Sequence, residues 1–155
     1  LGLTGKIPYR FDKRIREWCF GCFDGGYDGE LFMGVMPRVF NVEHVHQLSY
    51  AELAEGLVEV DTAGWAENWE KLSSRIWEGF SAIAEELEAS GGNALVVSHG
   101  MTIGTFVYLI NRSRPHGLDN GSVTIVDYED GKFSVACVGD MSYREVGKEE
   151  LEAEA

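Results

Sequence analysis

Ala94-Leu95-Val96-Val97-Ser98-His99-Gly100-Met101-Thr102 is the stretch on which the fold turns. Four apolar residues between Gly91-Gly92-Asn93 and Gly100 predict a short, buried strand over 94–98. Residues 102–111 then read as a helix. In open α/β sheets ligands bind beyond the carboxyl ends of strands, so His99 stands where chemistry is commonly done. The same histidine could equally hydrogen-bond a loop carbonyl.

Upstream of this stretch, Trp69, Leu72, Ile76, Trp77, Phe80, Ile83, Ala84 and Leu87 recur at helical spacing. They predict an amphipathic helix over 66–89, ended by Gly91-Gly92, with these side chains as a core stripe. Ser49-Tyr50-Ala51-Glu52 fits a capping box and begins a shorter helix ending near Val60. Residues 1–13 read as irregular, residues 19–34 as a glycine-punctuated aromatic loop, and 37–47 shows little pattern. Downstream, 122–128 and 132–138 alternate around Glu129-Asp130-Gly131, a hairpin signal. The order is α/β but short of strands. A buried strand needs partners on both edges, and only the hairpin offers itself. The chain opens Leu1-Gly2-Leu3-Thr4 without methionine, and together these features lead us to expect a piece of a longer protein whose first strand or strands lie elsewhere.

The 155 residues suffice for one domain with a real core, and 45% hydrophobic with 25% charged content suits a water-facing globule. With 26 acidic against 13 basic residues, net charge is −13. That field repels nucleic acid and anionic membranes and does not steer anionic substrates, so an anion site must be built locally. Glu149, Glu150, Glu152 and Glu154 crowd the end and read as a solvated acidic tail over 148–155. No export signal or membrane-length apolar run is seen, which predicts a cytoplasmic protein.

Of three cysteines, Cys19 and Cys22 form a C-x-x-C among aromatics, with only Cys137 left over. A reduced, structural role is expected rather than redox or zinc chemistry. His44-x-His46 lacks a third ligand nearby, which favours a surface or hinge role over metal. No G-x-S-x-G, Walker A or G-x-G-x-x-G sequence occurs, which weakens a serine hydrolase built on His99 and excludes the common nucleotide loops. Glu17 lies among Trp18, Phe20 and Phe23, which could desolvate it into a proton donor. It could also pair at the surface with Arg14 or Arg16.

Arg16-Glu17-Trp18 with Gly21 and Gly25, followed by Val96-Val97-Ser98-His99-Gly100 and then Asp119-Asn120-Gly121-Ser122, resembles the histidine phosphatase superfamily, also called phosphoglycerate mutase-like. The resemblance spans residues 1–147. It implies an α/β fold with a sheet flanked by helices and a carboxyl-terminal β-hairpin, the sheet being incomplete here. It further implies phosphomonoester hydrolysis, or phosphoryl transfer as a mutase, through a phosphohistidine. Glu17 would then be the proton donor and acceptor and His99 the group holding the phosphoryl. Ser98, Gly100 and Asn120 would bind substrate. A small phosphorylated metabolite is the implied partner, with neither metal nor organic cofactor.

The family's nucleophile sits in an Arg-His-Gly motif, and none occurs here; His44, His46 and His116 lack that context. Nor is the early phosphate-binding arginine matched, and no motif assigns Arg10, Arg112 or Arg114. The chain by itself is therefore expected to be inactive. A non-catalytic binding or scaffold protein on the same fold is the alternative.

Overall fold

The computed structural model describes residues 7–115 and 117–153; His116 and residues 1–6 and 154–155 lie outside them. Three helices carry the architecture: α2 (Tyr50–Val60), α3 (Trp69–Ser90) and α4 (Gly100–Asn111). They are preceded by a short α1 (Met36–Phe40) and followed by a hairpin of β1 (Val123–Glu129) and β2 (Lys132–Asp140), then by α5 (Ser142–Ala153).

The predicted helices form for the predicted reasons. Ser49 Oγ accepts from Glu52 N–H while the Glu52 carboxylate accepts from Ser49 N–H, closing the capping box that starts α2. Asn68 caps α3, and Gly91 ends it at φ +70°. Along α3, Leu72 and Ile76 are fully buried and Phe80 stacks on Phe106 of α4 at 4.0 Å between ring centres. Phe133 of β2 meets Phe106 at 5.0 Å and Trp77 at 5.3 Å, which seats the hairpin on α3 and α4. Asp130 and Gly131 both have positive φ, as the two-residue turn joining right-twisted strands requires.

Three elements differ from expectation. Residues 94–98 form no strand, and Leu95 and Val97 are 68% and 81% exposed. A strand exists only through a partner's backbone, and among the described residues the hairpin pairs solely with itself. Second, Glu30–Val35 forms a π-helical turn running into α1, where a glycine-rich loop was expected. Pro37 falls in the first turn of α1, the one helical site where its missing N–H costs nothing. Third, the acidic end, expected as a solvated tail, is helical through Ala153, although those residues are solvent-facing. The result is a set of helices flanking a small antiparallel sheet, without the expected strand over 94–98 among the described residues. No described helix is long and apolar enough to cross a membrane.

Candidate active site

Residues 15–18 and 98–105 are stitched together rung by rung. Ser98 Oγ donates to the Ile15 carbonyl at 2.7 Å. The Thr102 hydroxyl lies 2.7 Å from the Arg16 carbonyl and 3.0 Å from Glu17 Oε1. Trp18 Nε1 donates to Thr105 Oγ1 at 3.1 Å in the core. On the other side, Arg75 from α3 reaches the carbonyls of Arg14, Arg16 and Glu17 at 2.8–3.0 Å. A carboxylate, Glu67, holds Arg75 in a two-point pair, with both side chains almost out of solvent. Burial pushes the Glu67 carboxyl up, but its bonds and charge pairing with Arg75, then Arg16, leave it lowered overall.

This ladder fixes Glu17. Its Oε1 accepts from Trp18 N–H and Thr102 N–H, both at 3.0 Å, in addition to the nearby Thr102 hydroxyl. Among the described residues, its Oε2 accepts only from Met101 N–H, at 3.2 Å. The carboxylate thus closes the amino end of α4, where free N–H groups and the helix dipole favour an anion. Neither expectation for this residue holds in full: Arg14 pairs with Asp12, Arg16 with Glu67, and polar donors rather than aromatic rings make its closest contacts.

His99 is the N-cap residue of α4, its backbone extended at φ −123°, and its carbonyl accepts from Ile103 N–H at 2.8 Å. The imidazole makes no capping bond and is exposed. It borders a cavity of about 250 Å³ together with Glu17, Ser98, Gly100 and Asn120. All five candidate residues therefore meet at one place, although residues 94–98 are not the strand expected to bring them there. Ile103, Leu118, Asp119, Gly121 and Ser122 complete the wall. Ser98 has given its one proton to Ile15, so its side chain offers this cavity only acceptor lone pairs.

Among the described residues, no lysine or arginine lines this cavity. Arg10 pairs with Glu86, and Arg112 lies over the Tyr108 ring. Arg114 lines a larger, adjoining cavity, where its guanidinium donates to the Val45 and Leu48 carbonyls.

The C-x-x-C segment is shaped by Asp61. Its buried carboxylate accepts from the N–H groups of Ala66, Cys22, Ala63 and Trp65. The bond from Ala66 leads in holding the Asp61 carboxyl far below the usual range, against burial. Gly21 packs against that carboxyl at φ +63°, leaving no room for a Cβ. Cys19 and Cys22 are free thiols, with Cys19 Sγ donating to Asp24. Sequence reasoning missed Arg75 and Asp61. Arg75 looks like any charge on the polar side of a helix, whereas the Asp61-x-Ala63-Gly64 turn carried a faint signal.

The sequence profile of the histidine phosphatase superfamily (branch 1) matches residues 1–141. Among solved structures, the chain is similar to phosphoglycerate mutase from Bacillus anthracis str. Sterne, with a TM-score of 0.85 and 33% identity. That match covers 94% of this chain and 66% of the mutase, so the chain spans a little under two thirds of its length. No curated protein matches the chain.

Proposed function

The chain belongs to the histidine phosphatase superfamily, and on that premise we propose that it serves phosphomonoester hydrolysis through a phosphohistidine. The observation that carries this reading is the meeting of Glu17 and His99 on one cavity, from segments far apart in sequence. The nucleophilic imidazole matches no motif within these 155 residues, so the reading assigns it to a segment outside them.

In the first step that imidazole forms a P–N bond while the P–O bond to the leaving group breaks. Glu17 gives its proton to the departing oxygen. The distribution of donors favours Oε2 as the proton's carrier, because Oε1 already accepts from two N–H groups and Oε2 from one. His99 donates to the equatorial oxygens, where transferring phosphoryl charge accumulates. In the second step water attacks phosphorus, its proton passes to the Glu17 carboxylate, and the P–N bond breaks. Release of phosphate resets the site. A mutase would pass the phosphoryl back to a retained alcohol by the same groups; hydrolysis is our choice.

One observation favours the alternative of a binding protein on this fold: the small cavity has no described cationic side chain other than an imidazole. A single experiment separates the two. The coding sequence upstream of Leu1 is translated, and the extended protein is assayed for phosphate release from p-nitrophenyl phosphate. The enzyme reading expects an upstream Arg-His-Gly, turnover by the extended protein and none by residues 1–155. Glu17→Gln should lower turnover about 10²–10⁴-fold, the usual contribution of a general acid. Full activity in that variant removes Glu17 from the mechanism, and a stop codon at that point decides for the binder.

A further inference from the structure

A second cavity, of about 670 Å³, opens beside the first and shares Glu17, Gly100 and Leu118 with it. Its size is that of a small-molecule site. The wall is largely apolar, with Phe20, Phe32, Met33, Tyr50 and Met101 prominent. Phe20 and Phe32 meet edge to face at 5.9 Å, and Trp18 backs both Phe20 and Tyr50. These rings make the wall stiff.

The charges of the cavity are unbalanced. Glu17, Asp28 and Glu43 face it, against a single described arginine or lysine, Arg114, and two imidazoles, His44 and His46. That guanidinium is tied to the Val45 and Leu48 carbonyls and lies 5.0 Å from the centre of the Tyr50 ring. A carboxylate or second phosphate entering here would meet two acidic side chains at the rim, Asp28 and Glu43, both exposed. An uncharged aromatic group would meet rings.

We infer that this cavity is the leaving-group subsite and that it selects uncharged aromatic or bulky apolar alcohols over leaving groups bearing a second negative charge. The inference rests on the phosphoryl-transfer reading, because only that reading puts the scissile bond at Glu17, where the cavities join. Discrimination here works as much by repelling the wrong ligand as by fitting the right one.

Three probes test it by calorimetric titration at pH 8, above the ordinary imidazole range: 1-naphthol, 1-naphthyl phosphate and 3-phosphoglycerate. The chain should bind naphthol, and should bind naphthyl phosphate at least about tenfold more tightly than phosphoglycerate. Phe32→Ala should weaken naphthol about tenfold, the order expected for a lost apolar contact. The rim variant Asp28→Lys/Glu43→Lys, which changes only exposed positions, should narrow the gap to phosphoglycerate. Absence of naphthol binding, or equal affinity for the two phosphate esters, overturns the inference while leaving the phosphoryl reading in place. That reading fails separately if His99→Ala weakens naphthyl phosphate no more than naphthol, and the subsite assignment then falls with it.

Discussion

At the scale of single residues, the site depends on carboxylates that accept hydrogen bonds from the backbone. Glu17 closes the amino end of α4 from a distance in sequence, doing for that helix what His99, its N-cap residue, does not. Glutamine at position 17 keeps one acceptor oxygen but sets an NH₂ group against N–H donors. Glu17→Gln should therefore cost about 0.5–2 kcal/mol of stability, the range for a lost cap, measurable by urea unfolding. Any loss of turnover must be read after that correction. Asp61 gives a pH prediction. Its carboxyl is lowered in the folded protein from an ordinary value of 3.8, chiefly by the Ala66 N–H. A lowered folded value means the contribution is fully present above the ordinary range and is lost as pH falls below about 4. Asp61→Asn should therefore lower the urea midpoint at pH 7, and the gap to the parent should shrink at pH 3. A gap that stays constant between the two pH values removes Asp61 from the acid response. Gly21→Ala should destabilise at either pH, because φ +63° and the Asp61 carboxyl both exclude a Cβ.

At the scale of elements, α3 serves the site without lining either cavity. Arg75 leaves the helix to hold three carbonyls of residues 14–17, and Glu67 neutralises it. Arg75→Met strands the nearly buried Glu67 carboxylate and releases those carbonyls. Breaking one partner of a buried pair costs about 3–5 kcal/mol; Arg16, also on Glu67, puts this case at the lower end. Chemical denaturation reads that loss, and protection of the Thr102 amide from hydrogen exchange should drop with it. How much of this was legible in the sequence follows from what makes each element. Helices α2 and α3 announce themselves through Ser49, the Trp69-to-Leu87 stripe and Gly91, all local signals. The hairpin does so through Asp130-Gly131. Residues 30–40 were unreadable as helix because Gly34 and Pro37 argue against one, and a π-turn followed by a first-turn proline evades both objections. The acidic run of α5 resembles a solvated tail, and solvated it is, but as a helix. Glu17 and His99 were found through motif context. The bonds that set Glu17 come from Thr102, Met101 and Trp18, and such pairings across the chain leave no periodic trace.

At the scale of the whole molecule, the misread stretch 94–98 becomes a property of the surface. Leu95 and Val97 stand two residues apart in a stretch that pairs with no strand among the described residues, and both are exposed. Such an edge is a template for another strand. Opposing it is a net charge of −13, which keeps like molecules apart at low ionic strength. Salt screens that repulsion, the Debye length shrinking from about 30 Å at 0.01 M to about 3 Å at 1 M, while apolar and backbone pairing persists. Self-association of this chain should therefore rise with added salt, the reverse of an interface built on ion pairs. Sedimentation velocity over a concentration series, at about 20 mM and then about 500 mM sodium chloride, reads this directly. Val97→Lys puts a charge on the exposed face of the edge and should suppress the salt-induced association. Because Val97 buries little, its unfolding free energy should move by no more than about 0.5 kcal/mol. Association that weakens with salt, or that survives the lysine, would place the contact elsewhere on the molecule and leave residues 94–98 without that role.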